Sequence, residues 1–120
     1  MGDLTANFSR HEFACKCGCG YGLKRGDVDT GLVQQLQELR DEIKRPVSIT
    51  SGCRCAKHNR NVGGARNSQH IHGTAADIKV AGLSPKEVYR ILNAKYPKSH
   101  GIGLYRSWVH FDVRRGRARW

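Results

Sequence analysis

Apolar residues recur at helical spacing in two stretches of the chain. In the first, from about 30 to 45, they are spaced four, three and four residues apart, which places them on one helix face. These residues are Leu32, Leu36, Leu39 and Ile43. Asp29 or Thr30 can cap the start of this helix, and Pro46 ends it. Residues 84–87 form a capping box with proline at the first helical position, which predicts a second helix behind it. Its apolar residues are Val88, Ile91 and Leu92.

Alternating apolar and polar residues predict strands elsewhere. Residues 74–80 gain strand character towards their end, where Ile78 and Val80 lie on the face opposite Asp77. Residues 108–113 alternate more cleanly, and residues two apart in a strand share a face. The face expected to enter the core carries Val109, Phe111 and Val113. The face expected to line a cleft carries Trp108, His110 and Asp112.

The remaining segments complete the predicted architecture. Residues 47–50 have strand character, and residues 52–69 have mostly loop character with several Gly and Asn. Residues 105–107 are expected to turn a hairpin between 101–105 and 108–113. We therefore expect one α+β domain spanning residues 1–120, in which a small, mainly antiparallel sheet packs with two main helices.

Two histidines and an aspartate form the strongest candidate site. The chain carries a formal net charge of +11, and only three acidic residues follow Glu42: Asp77, Glu87 and Asp112. Two of these three lie in the segments that carry His70 and His110. A catalytic zinc site needs three protein ligands and a fourth position open to water. We therefore predict that His70, Asp77 and His110 converge on one metal ion.

Five cysteines form a second cluster in the sequence, with several interpretations. Cys15, Cys17 and Cys19 alternate with other residues, as do Cys53 and Cys55. Four thiolates could hold a second metal, although the spacing differs from the usual Cys-x-x-Cys. The alternatives are one or two disulfides, or free buried thiols. In each case we expect the N-terminal segment to pack near residues 53–55.

The hydropathy of the chain argues against a membrane-spanning or secreted protein, and its charge suggests a partner. No apolar run approaches the ~20 residues of a membrane span, and residues 1–7 lack the pattern of a secretory signal. We therefore expect synthesis in the cytoplasm. A basic tail contains five arginines and an aromatic residue: Arg106, Arg114, Arg115, Arg117, Arg119 and Trp120. It could bind an anionic surface, track nucleic-acid phosphates, or have no partner.

The pattern Ser-x-His-x-x-Gly-x-Ala-x-Asp at residues 68–77, followed by His-x-Asp at 110–112, resembles the zinc D-Ala-D-Ala carboxypeptidases. That family includes phage endolysins and shares a metal-site fold with the hedgehog signalling domain. The resemblance also covers residues 7–13, 50–54, 58–59 and 101–105. It implies a Zn²⁺ cofactor bound by His70, Asp77 and His110. It also implies that Arg54 is the cation near the substrate's carbonyl or carboxylate.

The general base is the point at which the chain departs from this family. Several relatives carry Glu or Asp three residues before the final histidine ligand, where this chain has Ser107. Asp112 is expected on the same strand face as His110, so it is the natural substitute. Asp112 could equally orient a ligand or Arg54. His72 is a further candidate for the base.

The resemblance implies a hydrolase of peptidoglycan stem peptides, either a D-Ala-D-Ala carboxypeptidase or an endolysin-type endopeptidase. Such an enzyme would reach the cell wall after release from the cell or as part of a virion. The basic tail would then bind the anionic cell envelope, and we expect a monomer. The loss of the base at Ser107 favours an alternative, a non-catalytic zinc-containing binding module. A zinc-stabilised nucleic-acid binder is a third and weaker possibility.

Overall fold

The structure, a computed structural model, describes residues 3–120. Residues 1 and 2 lie outside that range. They belong to the expected domain of residues 1–120 and to the segment 1–7 that was compared with a secretory signal. The elements in chain order are α1 (Arg10–Phe13), α2 (Thr30–Ile43), β1 (Val47–Ser51), α3 (Ala56–Asn61), a 3₁₀ turn (Gln69–His72), β2 (Ala75–Val80), α4 (Pro85–Lys95), β3 (Gly101–Leu104), β4 (Val109–Asp112) and β5 (Ala118–Arg119). The predicted α+β class is confirmed.

The five strands form one sheet in the order β1-β2-β4-β3-β5. All neighbouring pairs are antiparallel except β3 and β5, which are parallel. The predicted hairpin is confirmed, since β3 and β4 pair on either side of residues 105–108. In the register of β2 and β4, Asp77 lies directly opposite His110. The sheet therefore brings together two residues that are distant in sequence.

Both predicted long helices form, with the predicted residues at their starts. The side chain of Asp29 accepts a hydrogen bond from the backbone N–H of Leu32 at 2.9 Å, which caps α2. Ser84 caps α4 in the same way, accepting from the Glu87 N–H at 3.2 Å. Helix α2 ends at Ile43, two residues earlier than predicted, because Lys44 adopts the left-handed conformation ahead of Pro46.

A single buried apolar cluster joins both long helices to the sheet. The apolar stripe of α2 lies in this cluster, with Ile43 at its half-buried margin. Of the three residues predicted for the core on this segment, Val109 and Phe111 on β4 are buried in the cluster, and Val113 beyond the strand end is partly buried against it. The other buried members are Phe8, Phe13, Val28, Val33, Val47, Cys53, Ala76, Ile78, Val80, Val88, Leu92 and Ile102. The core thus supports the sheet on which the candidate site is built.

The loop prediction for residues 52–69 is wrong in part, because residues 56–61 form helix α3 and residue 69 begins the 3₁₀ turn. Helix α3 is short and has no apolar stripe, so periodicity could not reveal it. Buried Asn59 stabilises the region that follows, since its side-chain amide donates to the Ala65 carbonyl at 2.7 Å. Within residues 3–120, no helix is both long and apolar enough to cross a membrane.

Candidate metal centre

The three predicted ligands converge on one point. His70 lies in the 3₁₀ turn, Asp77 on β2 and His110 on β4. Oδ1 of Asp77 is 3.2 Å from Nε2 of His70 and 3.3 Å from Nδ1 of His110. The two imidazole rings meet edge to face, with centroids 5.0 Å apart. All three residues are buried, with exposed fractions of 2%, 4% and 6%.

Local sequence explains how the turn presents His70. Ser68 begins the turn, and its hydroxyl accepts from the backbone N–H of His70 at 3.2 Å. Gly73 ends the turn in the left-handed conformation with φ +70°, which favours glycine. A Cβ at Gly73 would also overlap the Asp27 carbonyl oxygen. The serine and glycine of the motif therefore shape the backbone, whereas its histidine and aspartate supply donor atoms.

Each histidine is held by the ring nitrogen that faces away from the centre. Nδ1 of His70 is 2.7 Å from the Gly52 carbonyl oxygen, which can only accept a hydrogen bond. Nε2 of His110 is 2.7 Å from Oδ2 of Asp112. When a metal ion is bound, these contacts would keep the ring protons on the outer nitrogens, so that the lone pairs of Nε2 of His70 and Nδ1 of His110 can bind the ion. Two imidazole nitrogens and one carboxylate oxygen form a donor set that fits zinc.

The electrostatics keep the central carboxylate ionised. In the metal-free protein the inner ring nitrogens can carry protons and donate to Asp77. Burial opposes ionisation of Asp77, but these hydrogen bonds from His110 and His70 outweigh it and lower its pKa to about 2. Burial also lowers the pKa of His110, but its hydrogen bonds with Asp112 and Asp77 have the larger combined effect and raise that pKa. At neutral pH the centre therefore contains an anionic donor available for a cation.

Arg54 lies beside the centre and is held by several contacts. Its guanidinium donates from Nε to Ser51 at 3.1 Å, from Nη1 to Asn59 at 3.3 Å and from Nη2 to Oδ2 of Asp77 at 3.1 Å. Its backbone N–H donates to the His70 carbonyl at 3.0 Å. A guanidinium has five N–H donors, so two remain for a ligand in the cleft. Arg54 thus contacts a predicted metal ligand directly.

Asp112 lies behind His110 and is fully buried. Besides His110, it accepts hydrogen bonds from the Gly101 N–H at 3.1 Å and from the Arg114 backbone N–H at 3.1 Å. The Arg114 guanidinium grips it bidentately at 2.8 and 2.7 Å. Burial raises the pKa of Asp112, but the hydrogen bonds from His110 and Arg114 dominate and hold it well below the ordinary value. The carboxylate is therefore ionised and enclosed by donors.

A cleft of about 480 Å³ opens onto the three donors. Of the strand face predicted to line it, Trp108 and His110 do so, whereas Asp112 does not. Among residues 3–120, Asp77 is the only carboxylate that lines this cleft. The lining residues are Arg54, Val62, Gly63, Gly64, Ala65, Asn67, Ser68, Gln69, His70, Asp77, Tyr105, Trp108, His110, Arg114 and Trp120. A ligand can therefore reach the donor atoms of His70, Asp77 and His110 from the cleft side.

Trp120 belongs to the cleft wall, which the sequence analysis did not predict. Its ring centroid lies 4.9 Å from that of His110, and its indole N–H donates to the Tyr105 hydroxyl at 2.8 Å. The pairing of β5 with β3 brings it there, over Gly103, where a Cβ would overlap the indole. Gly101 and Gly103 lie on the same face of β3. This pair of glycines was the sequence signal that bulky side chains approach that strand face closely.

The other candidate residues lie away from the donors. His72 is exposed at the end of the 3₁₀ turn, with Nε2 3.2 Å from the side-chain oxygen of Asn67. Ser107 is exposed in the turn between β3 and β4, outside the main cleft. Neither residue is positioned beside the three donors. The identity of the base therefore stays a prediction.

The basic tail divides into structural and exposed arginines. Arg114 contacts Asp112, and Arg119 donates to backbone carbonyls of Ser99, His100 and Tyr96. Its Nε also donates to the side-chain oxygen of Asn93 at 2.8 Å. The exposed arginines of the tail are Arg106, Arg115 and Arg117. Only part of the predicted basic surface is thus available to a partner.

The cysteines meet as expected near residues 53–55. The Cys53 N–H donates to the Phe13 carbonyl at 2.8 Å, which joins the N-terminal segment to the loop before α3. All five thiols are free. Burial, with the nearby Asp27, raises the pKa of Cys53 to about 12, so this cysteine stays a thiol. The other four form a group that does not include Cys53.

A site with two histidines and one aspartate, open to a cleft on one side, has the arrangement of a catalytic metal centre rather than a closed structural one. The chain belongs to the Peptidase M15 family, because the sequence model of that family matches residues 6–112. That match includes all three donor residues and Arg54.

Two kinds of relative are similar to the chain. The zinc D-Ala-D-Ala carboxypeptidase of Streptomyces albus G is 42% identical over 45 residues, which cover 37% of this chain and 18% of that protein. The peptidoglycan L,D-endopeptidase MepK of Escherichia coli K12 is 30% identical over 95 residues, which cover 72% of this chain and 51% of that protein. The chain thus spans about half, or less, of the length of these relatives.

Proposed function

We propose that the chain is a zinc-dependent hydrolase of peptidoglycan stem peptides. The observation that carries the proposal is the convergence of His70, Asp77 and His110 at the base of an open cleft, with Arg54 beside them. Membership of a peptidase family supports hydrolysis of an amide bond. The names of the similar proteins, a D-Ala-D-Ala carboxypeptidase and a peptidoglycan endopeptidase, support this class of substrate.

Zinc, when bound by the three donors, supplies a Lewis acid that activates water and polarises the carbonyl of the peptide bond. Arg54 keeps Asp77 in place with one η nitrogen and has two N–H donors left for the substrate's carboxylate or the oxyanion that develops from its carbonyl. Trp108, Tyr105 and Trp120 form an aromatic wall against which a peptide can pack. These residues bind and orient the peptide.

Asp112 is proposed to position His110. Its carboxylate holds the proton on Nε2 of His110, which leaves Nδ1 free for the metal. Burial and five hydrogen bonds limit its access to a water in the cleft. This geometry favours the orienting role over the role of general base, the other assignment predicted for Asp112.

The second candidate function is a binding module that holds zinc without catalysis. The observation that favours it is the cleft itself, in which Asp77, a metal ligand, is the only carboxylate among the described residues. A peptidase needs a group that takes a proton from water and passes it to the leaving amine. A binding module would use the same cleft and the same donors without this step.

The test is digestion of purified peptidoglycan, followed by mass spectrometry of the released peptides. New peptide ends that appear with zinc and disappear with chelator support the hydrolase and also identify the bond that is cut. His70→Ala, which removes one donor, is the matched control and should release nothing. Zinc-dependent binding to peptidoglycan without any new ends would instead support the binding module.

We further propose that the exposed arginines hold the protein on the anionic cell envelope by long-range attraction. These are Arg106, Arg115 and Arg117. The enzyme would act as a monomer, on the wall, after release from the cytoplasm or as part of a virion, as a phage endolysin does. Binding to envelope fragments that weakens with salt, and weakens further when the three arginines are replaced by glutamine, would support this.

A further inference from the structure

Four of the five cysteine side chains lie at one place beside the loop that carries Arg54. Sγ of Cys17 lies 3.4 Å from Sγ of Cys15 and 3.6 Å from Sγ of Cys55. Cys15 and Cys55 are 3.9 Å apart. Cys19 completes the group, and all four sulfur atoms lie within 4.8 Å of one another. The catalytic proposal uses none of these side chains.

The sulfur–sulfur distances fit tetrahedral coordination. A zinc–sulfur bond is ~2.3 Å long, so two thiolates on one tetrahedral zinc lie ~3.8 Å apart. The three sulfur–sulfur separations in the structure, 3.4, 3.6 and 3.9 Å, fall around this value. A disulfide needs ~2.05 Å between its sulfurs. Cys15, Cys17 and Cys55 are therefore spaced as ligands of one ion, not as bonded pairs, and the sulfur of Cys19 lies within 4.8 Å of each of them.

Two backbone features hold the sulfurs in this arrangement. The Gly18 N–H donates to the Cys15 carbonyl at 3.2 Å, which bends the segment so that alternate cysteines face one point. The N–H groups of Cys55 and His58 donate to the sulfurs of Cys15 and Cys55, both at 3.4 Å. Such N–H donors stabilise a sulfur that carries negative charge. The backbone thus places N–H donors against two of the four sulfurs.

We propose that Cys15, Cys17, Cys19 and Cys55 bind a structural zinc ion that joins the N-terminal segment to the loop carrying Arg54. Each thiol loses its proton to solvent on binding, so the step needs no oxidant or reductant. Four thiolates fill the coordination sphere and leave no open position for water, which makes the site structural. Soft sulfur ligands in a tetrahedron select zinc over magnesium or calcium.

The site lies one residue from a group in the candidate active site. Cys55 is the N-cap of α3, and the preceding residue, Arg54, contacts Asp77. Cys53, on the other side, is not part of the site, because it is buried and its sulfur faces the Asp27 carbonyl at 3.8 Å. An ion at the four sulfurs would fix the backbone on which the guanidinium of Arg54 depends.

The first experiment is elemental analysis of the full chain, purified under reducing conditions. We expect about two zinc ions per wild-type chain, and about one in His110→Ala and in the double variant Cys17→Ser, Cys19→Ser. Cys53→Ala removes a cysteine outside the cluster and is the matched control, which should keep both ions. One zinc per wild-type chain, lost in His110→Ala, would overturn the proposal, as would bound iron in place of the second zinc.

A second experiment reads the ligands directly and does not depend on any enzyme activity. Cobalt(II) replaces zinc, and thiolate ligation gives a strong sulfur-to-cobalt absorption band in the near ultraviolet. We expect this band in wild type and in His110→Ala, and its loss in the double serine variant. Its absence from the wild-type protein would overturn the site. In His110→Ala, chelation should also lower the unfolding temperature; an unchanged temperature would overturn the joining role.

Discussion

Replacing Asp112 by Asn separates the two roles predicted for this residue. In the wild-type protein His110 and Arg114 each hydrogen-bond to Asp112 at 2.7 Å. The amide of Asn keeps the shape of the side chain, but its N–H group would face one of these two N–H donors. If Asp112 orients His110, as proposed, zinc should bind ~10–100-fold more weakly, which is ~1.4–2.7 kcal/mol of binding free energy. Turnover measured with the centre fully occupied should then change less than zinc affinity.

The assay is zinc competition against a fluorescent chelator, paired with peptide release at saturating zinc. Glu87→Gln is the matched control, since Glu87 is an exposed acid on α4 that does not line the cleft. It should change neither quantity. If Asp112 is instead the general base, turnover should fall ~10²–10⁴-fold while zinc affinity stays at the wild-type value. That result would refute the orienting role.

Three further predictions follow from the same geometry. Arg54→Lys keeps the charge but loses the fork that contacts Ser51, Asn59 and Asp77, so peptide release should fall strongly at normal zinc content; activity near wild type would contradict the role of Arg54. The pKa of Asp77 is lowered from 3.8 to about 2 on folding, so metal-free protein should lose about 2 kcal/mol of stability as the pH falls through this window, but not above it. Thermal unfolding from pH 5 to 2 measures this loss, and Asp77→Asn should lack it. Trp120→Ala removes part of the cleft wall and should raise KM more than it lowers kcat; equal effects on both would count against a substrate contact.

The sequence predicted the parts of the fold that follow from local periodicity. The apolar stripe of α2 and the alternation of β4 indicate burial, and the cap at Ser84 marks the start of α4 through a local hydrogen bond; all three elements formed, with ends within two residues of those predicted. Helix α3 was missed because its six residues carry no apolar stripe. Cys55 caps it through sulfur at 3.4 Å, and cysteine is not among the side chains that usually mark a helix start.

The candidate ligands were predictable because residue type limits the choice. Few side chains can bind zinc, and after Glu42 the chain has few acids, so His70, Asp77 and His110 were identified before their distances were known. The surroundings of the ligands were not predictable in this way. Strand alternation placed Asp112 on the face of His110 but could not show that Arg114 and Gly101 enclose it.

Contacts between distant segments account for the remaining differences. Trp120 reaches the cleft only because β5 pairs with β3 in parallel, a long-range contact that no local pattern encodes. For the cysteines the meeting itself was expected, but the sequence could not show that Cys55 alone joins three residues about forty positions earlier, without Cys53. Sequence spacing within the run of Cys15, Cys17 and Cys19 gave only a weak signal, whereas the sulfur–sulfur distances give a specific one.

The most direct test of the central claim is a zinc titration of metal-free protein during digestion of peptidoglycan. The number of new amino groups released per minute is measured against the zinc bound per chain. We expect no release from metal-free protein, a rise as the His70–Asp77–His110 centre fills, and no release from His110→Ala at the same total zinc. Release that is independent of zinc, or equal release from His110→Ala, would contradict the central claim.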